Sequence, residues 1–523
     1  MVLYLAQDVH RTRLDVRTAK ANVMDGTQTA LTPVKTPMIA TSLEELEAAA
    51  RRDLAYTGYP AHPWIPARMQ GGQRVLDVAI IGGGQGGIGT AFALMREQIG
   101  NIAVFDRNPV GQEGPWVTFA RMITLRTPKH VTGPDYGLAS LTPRAWYEAK
   151  YGADAWANLG KIPRQEWQAY LCWFRDVTGL PVHNETSVTN ITLEGDTLRL
   201  TLQTPKGTFE RHARKVVLAT GIDGSGRWQI PGFISEAVPP TQFAHTAQDI
   251  DFATLAGKRI GVLGAGASAF DNAATALEAG AGSVDLCLRR RDIPRINPYR
   301  WMESSGFLGH YAEMPDLLRW RFIRHIFDLN QPPPQDTFWR CRKHPNFSFH
   351  TGCPWHSVAM DGNEIVVATP AGEMRFDFLI VGTGFAIDIG LRPELAAIAP
   401  HVATWADRFT PPPGEESALL AGHPYLGDAF QFTERVPGAA PYLANIHNFT
   451  FGATPSMGLS GASISGMKYG VRRLVAGLAR DLYVADGQAH LDSLRAYVTP
   501  ELVSTERQDV PEPDAAPAPV GIS

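Results

Sequence analysis

Asp77–Gly89 reads DVAIIGGGQGGIG, and Arg259–Ala269 reads RIGVLGAGASA. Each is a short apolar run ending in closely spaced glycines. Uninterrupted apolar runs mark strands buried on both faces of a parallel sheet. Gly82, Gly84 and Gly87 follow the first run at G-x-G-x-x-G spacing. In such a turn the first glycine allows the tight bend. The second lets backbone approach a pyrophosphate, and the third lets the next helix pack against the strand. The free N–H groups of that helix lie at the positive end of its dipole and suit phosphate. Gly264, Gly266 and Ala269 repeat the spacing, with Ser268 inside the turn and alanine in the third place.

Two cycles of strand, helix and strand surround these turns. The first comprises a strand over 78–81, a helix over 88–98 and a strand over 102–105. The second comprises strands over 259–263 and 284–288 around a helix over 267–279. A third apolar strand, FDFLIVGTGF, runs from Phe376 to Phe385. Alternation of this kind predicts an α/β fold with two Rossmann-like dinucleotide-binding domains.

The two turns differ at the end of the next strand. Asp106 stands 24 residues after Gly82, where a carboxylate accepts from unphosphorylated ribose hydroxyls. Arg289, Arg290 and Arg291 stand in a row from 25 residues after Gly264. Guanidinium groups at that place suit the 2′-phosphate of NADPH, which a carboxylate would repel.

Bulk properties narrow the class. With 523 residues the chain is long enough for two or three cores. A net charge of −4 gives no reason to expect nucleic acid or an anionic membrane as partner. No apolar run approaches a bilayer-spanning length. The start, MVLYLAQDVHRTR, lacks the basic lead-in of a secretory signal, so a cytoplasmic protein is expected. Cys172, Cys287, Cys341 and Cys353 form no C-x-x-C pair, which argues against a dithiol centre. Cys341, His344, His350, Cys353 and His356 cluster in sequence, but their order is unusual for zinc ligands. Ordinary packing is expected, with no metal.

Further motifs follow in order: a Gly-x-Trp at Gly114–Trp116, VLATG at Val217–Gly221, and the GTGF that closes the third strand. In this combination the chain, over roughly residues 75–482, resembles the flavin-containing monooxygenase superfamily of two-dinucleotide flavoproteins. The superfamily includes N-hydroxylating and Baeyer–Villiger enzymes. The resemblance implies FAD at the first turn, NADPH at the second, and the NADPH domain inserted into the FAD domain. Thr220 and Gly221, and likewise Gly382, Thr383 and Gly384, become strand-end turns near the flavin. The implied division is an N-terminal extension (1–70), FAD domain (71–221 and 377–482), NADPH domain (222–376) and C-terminal segment (483–523). The Pro/Ala-rich tail from Asp509 is expected to be disordered.

The chemistry follows from the cofactor pair. Hydride passes from nicotinamide to flavin. Without a redox cysteine pair, oxygen is the expected acceptor. The resemblance then implies a C4a-(hydro)peroxyflavin that delivers one oxygen atom to a small organic substrate. Departures from the Baeyer–Villiger signature favour oxygenation at nitrogen or sulfur. Oxidation of a ketone, or an NADPH-driven reductase without oxygen insertion, are the alternatives. Arg126 falls where flavin-containing monooxygenases carry an asparagine. It is a candidate for binding substrate carboxylate, for steadying the oxygenating species, or for pairing with a structural acid. His245 is either an interdomain catalytic histidine or a satisfied polar residue.

Three segments complete the reading. Ser42 and Glu45 have capping-box spacing at the start of a helix over 42–56, part of an arm that would wrap the body or support a homo-oligomer. Residues 297–355 are aromatic-rich and interrupt the NADPH domain, as a pocket wall or as a helical insertion with its own core. Near the end, Asn448–Leu478 combines a Gly/Ser-rich turn with a long helix, placing Thr454 and Met457 beside the flavin ring.

Overall fold

A computed structural model describes residues 40–130 and 133–502. The expectations for the first 39 residues and for the tail beyond 502 lie outside them. Two sheets organise the chain. In the first, Val182–His183, Ile102–Phe105, Leu76–Ile81 and the end of Gly207–Leu218 run parallel in that spatial order, and Ile446–Asn448 lies beyond Gly207–Leu218. Gly207–Leu218 is long enough to serve twice. Its first half closes an antiparallel meander with Thr197–Thr204 and Ser187–Glu194. The second sheet is wholly parallel, in the order Phe243–His245, Phe378–Val381, Arg259–Leu263, Ser283–Leu288, Phe347–Thr351. All its strands fall inside the chain of the first sheet, whose last strand resumes at Ile446. The architecture is therefore α/β with one Rossmann-like unit inserted into another.

Of the two helices after the glycine turns, the first begins earlier than apolar patterning suggests and the second begins where expected. The first spans Gln85–Arg96, three residues ahead of the expected start, because its opening turn carries glycines rather than apolar residues. The second spans Ala267–Glu278. Ser42 caps the helix Leu43–Tyr56 by accepting from Glu45 N–H. The Glu45 carboxylate returns to Thr41 N–H at 2.8 Å rather than to Ser42, one residue beyond a standard capping box.

The chain crosses between the sheets on two short strands, Gly226–Trp228 and Phe385–Ile387, paired antiparallel. The aromatic-rich stretch forms helices Pro298–Met302, Ser305–His310, Asp316–Leu329 and Gln335–Arg342, then enters the second sheet as Phe347–Thr351. Its side chains share a core with the other domain: Phe307, Tyr311 and Trp320 pack with Trp405, Leu420 and Leu459. The insertion is thus a third attachment between the two units, with a core common to both. No helix of the described residues is long and apolar enough to cross a membrane.

Candidate functional site

The first turn is built by close approach. Gly82 has φ +104°, and a Cβ there would lie 2.5 Å from the Ala219 carbonyl oxygen. A Cβ on Gly87 would lie 1.8 Å from Gly82 O, so the helix sits directly on the turn. Gly84 is the N-cap of Gln85–Arg96 and no side chain caps that helix. Its first N–H groups are left for a ligand anion. Asp106, buried, accepts from Gly83 N–H at 2.7 Å and from Asn108 N–H at 2.8 Å. Burial pushes its carboxyl above the ordinary range, against the pull of those N–H groups. Each carboxylate oxygen keeps a lone pair for a ribose hydroxyl. Gly114 has φ +78°, and Trp116 packs edge-on against Trp167 at 6.4 Å.

The second turn repeats the geometry. Gly264 has φ +107°, with the Gly382 carbonyl oxygen 2.3 Å from where a Cβ would stand. Gly266 caps Ala267–Glu278, again without a side-chain cap, and open space surrounds its Cβ position. Ser268 is exposed and Ala269 is buried. Arg289, Arg290 and Arg291 are all exposed at the end of Ser283–Leu288, and Arg290 Nη1 donates to Asp328 O at 3.1 Å. Both turns therefore fit a dinucleotide: strand-end glycine, uncapped helix and the charged groups at the end of the next strand stand in register.

Between the turns lie the strand-end segments. Thr220 Oγ1 is buried without a hydrogen-bond partner among the described residues, and Gly221 has φ +82°. Thr383 Oγ1 donates to Gln229 O, and Gly384 has φ +79°. Thr454 and Met457 form a buried one-turn helix, Thr454–Met457, where Thr454 Oγ1 donates to Phe451 O at 2.7 Å. The insertion braces this helix. Buried Arg319 donates to Ser456 O at 2.8 Å and lies over the Trp405 ring at 5.2 Å. The Tyr311 hydroxyl donates to Pro455 O at 2.9 Å. Sequence reading missed Arg319 because no motif marks it; its place depends on a long-range core.

Arg126 and His245 take different places. Arg126 Nη2 lies 2.8 Å from Asp271 Oδ2, a buried carboxylate on the helix of the second turn. Thr337 Oγ1 donates to the other Asp271 oxygen at 3.0 Å, and Arg340 approaches it at 3.6 Å. Of the three roles expected for Arg126, pairing with a structural acid is thus present. It links the loop after Trp116 to the second nucleotide unit. His245 ends the first strand of the second sheet, 1% exposed, with its ring 5.2 Å from that of Trp228. Its Nδ1 accepts from Ala247 N–H at 3.1 Å, which leaves the proton on Nε2. Burial pushes its pKa down to about 4, so the ring is neutral at physiological pH.

The cysteine and histidine stretch is dispersed. Cys341 Sγ donates to Phe270 O at 3.4 Å, and His350 Nε2 lies 2.7 Å from Asp285. Among the described residues no three metal-ligating side chains gather. Burial pushes the Cys287 and Cys341 thiols up to about 12, so neither is a ready nucleophile.

Comparison with known proteins agrees with this geometry. The family description "Pyridine nucleotide-disulphide oxidoreductase" matches residues 79–303. The FAD-dependent urate hydroxylase of Xanthomonas campestris pv. campestris is 44% identical over 466 residues, which is 88% of this chain and 98% of that protein. The solved ornithine N-hydroxylase of Kutzneria sp. 744 superposes with a TM-score of 0.61 at 15% identity, over 78% of this chain and 99% of its own. DfoA, the cadaverine monooxygenase of Erwinia amylovora, gives 0.59 at 13% identity, over 78% and 95%. At such identities these structures show the shared fold. With a near-full-length relative at 44% identity and two nucleotide turns in the expected topology, the chain belongs to the flavin-containing monooxygenase superfamily.

Proposed function

We propose that this protein is an FAD- and NADPH-dependent monooxygenase that hydroxylates urate. One observation carries the substrate: 44% identity to a urate hydroxylase across 98% of that protein. The reaction balances as urate, O2, NADPH and a proton giving hydroxylated urate, water and NADP+. This reading moves the oxygen from nitrogen or sulfur to carbon. The nitrogen lone pairs of urate are delocalised into neighbouring carbonyls, whereas its central C=C carbon is enriched by attached nitrogens.

Bound together, flavin and nicotinamide supply hydride transfer and oxygen activation. The chain's own residues bind and orient them. Gly82, Gly84 and Gly87 present backbone to the FAD pyrophosphate, and Asp106 takes its ribose. Gly264, Gly266, Ser268 and Ala269 do the same for NADPH, with Arg289 and Arg290 on the 2′-phosphate. Gly114, Trp116, Thr220, Gly221, Gly382–Gly384, Thr454 and Met457 border the space between, within the domains 71–221 with 377–482 and 222–376. His245 is a positioning residue: buried beside the crossing strands with its ring against Trp228, it holds their geometry. Arg126 sets the distance between the loop after Trp116 and the second nucleotide helix.

The test is turnover with urate under air. Loss of urate's ultraviolet band in step with NADPH, without matching hydrogen peroxide, is expected. NADPH oxidised wholly to peroxide whether or not urate is present would overturn the reading.

A further inference from the structure

A cavity of about 170 Å³ opens between the loop after Trp116 and the helical insertion. It is smaller than the pockets of roughly 300–1,000 Å³ that take drug-sized ligands, so one small ring system fills it. Met122, Ile123 and Pro334 give it apolar walls, and Arg126, Lys161 and Arg340 bring three cations from separate parts of the chain. Two of these cations are neutralised from behind. Arg126 rests on buried Asp271, and Arg340 pairs with Glu278 at 2.7 Å. Lys161 is different. Its partner Asp336 lies 3.2 Å away on the cavity rim, and the two side chains are 37% and 55% exposed. Such an exposed pair contributes only about 0–1 kcal/mol, so another anion displaces Asp336 at little cost. Arg126 Nε is also buried without a hydrogen-bond partner among the described residues, an unmet donor beside the same space.

We propose that this cavity seats the substrate as a planar oxopurine monoanion, with Lys161 Nζ on its charged edge and Met122, Ile123 and Pro334 against its ring faces. The assignment rests on the urate reading and adds its recognition: charge selects the ionised purine, and the apolar walls take its ring faces. Lys161 is a specificity residue that sequence motifs do not mark, since it lies just ahead of the helix Arg164–Thr178 in a loop of ordinary composition. The insertion, through Pro334 and Arg340, supplies the far wall.

Calorimetric titration of urate into the oxidised FAD-loaded enzyme tests this. Lys161→Gln removes the charge, and Ile123→Trp fills the cavity without touching a charge. Each is expected to weaken urate binding by about tenfold or more, the scale of one charge-assisted contact or of lost fit. FAD content serves as the folding control. Arg321→Gln, on an exposed pair with Glu415 outside the cavity, is expected to bind urate as the wild type does. Equal urate affinity in the wild type, Lys161→Gln and Ile123→Trp would overturn the cavity while leaving urate hydroxylation standing. A wild type that neither binds urate nor couples it to NADPH oxidation would overturn both.

Discussion

The two glycine turns are near copies in backbone and opposites in their surroundings. Each has a left-handed glycine pressed against a strand-end carbonyl, Ala219 in one and Gly382 in the other. Each helix starts uncapped. Yet the first strand carries buried Asp77 five residues before its turn, where the second carries Arg259, paired with Asp377 and Glu364 and 39% exposed. The next strand ends on Asp106 in one unit and on three arginines in the other. Even the methyl group is exchanged. The first unit has glycine at 87 and alanine at 219, and the second has alanine at 269 and glycine at 382. The backbone motif suits a dinucleotide in both units, and what differs between them is the charge of the flanks.

The largest expected effect comes from forcing the first turn to resemble the second. Gly87→Ala sets a methyl 1.8 Å from a backbone oxygen, a clash that no rotamer relieves. It should cost more than about 3 kcal/mol and strip FAD from the purified protein. Full flavin stoichiometry with an unchanged melting temperature would show the turns to be interchangeable.

Asp77 comes next. Burial raises its carboxyl to about 6, against the pull of Arg214 at 4.0 Å. An acid raised on folding holds its proton more tightly in the fold. Its stabilising contribution is therefore full below about pH 4, the unfolded value, and is lost as pH rises through about 6. Asp77→Asn should gain up to about 3 kcal/mol over the wild type at neutral pH and little at pH 4. Thermal melts across that window check it; a difference independent of pH would refute the burial argument.

The exchanged methyl offers a third test. A Cβ on Gly382 would lie 2.7 Å from Ala269 Cβ. Gly382→Ala should therefore destabilise by about 1–3 kcal/mol, and adding Ala269→Gly should recover most of the loss. Additive losses would mean that the two sites do not share this space.

The smallest effect concerns charge at the strand end. Arg289→Ala should raise KM for NADPH about tenfold and leave NADH unaffected, as expected for loss of a charge-assisted bond to the 2′-phosphate. Arg290→Ala should lose less, since Asp328 O already engages its guanidinium. Equal losses with both coenzymes would remove the arginines from phosphate recognition.

Local rules made much of this architecture readable. Strand, glycine turn and helix are contiguous in sequence, so Ile102–Phe105 and Arg259–Leu263 appear at their expected bounds. Asp106 and Arg289 follow at fixed spacing from their turns. The substrate side was much less readable. Asp271 meets Arg126 across 145 residues, and Arg319 reaches Ser456 across 137. Such contacts are products of tertiary packing, and no local spacing encodes them. The aromatic stretch over 297–355 also ends in Phe347–Thr351, a parallel strand of the second sheet, because its alternating FSFHT pattern is too short to stand out from the aromatic helices before it.

The core shared by Trp320, Trp405, Leu420 and Leu459 has an evolutionary consequence. A coenzyme domain hung only on two crossing strands would be a cassette, free to be replaced by one of different nicotinamide preference. Here the cassette carries part of its host's interior and, through Pro334 and Arg340, the far wall of the candidate substrate cavity. Recombination at the crossing strands would import helices mismatched to Trp405 and would remodel the cavity in the same event. On the proposed assignments, coenzyme preference and substrate recognition would change together on such an exchange, whereas point substitution at positions such as Lys161 and Arg289 would alter them separately.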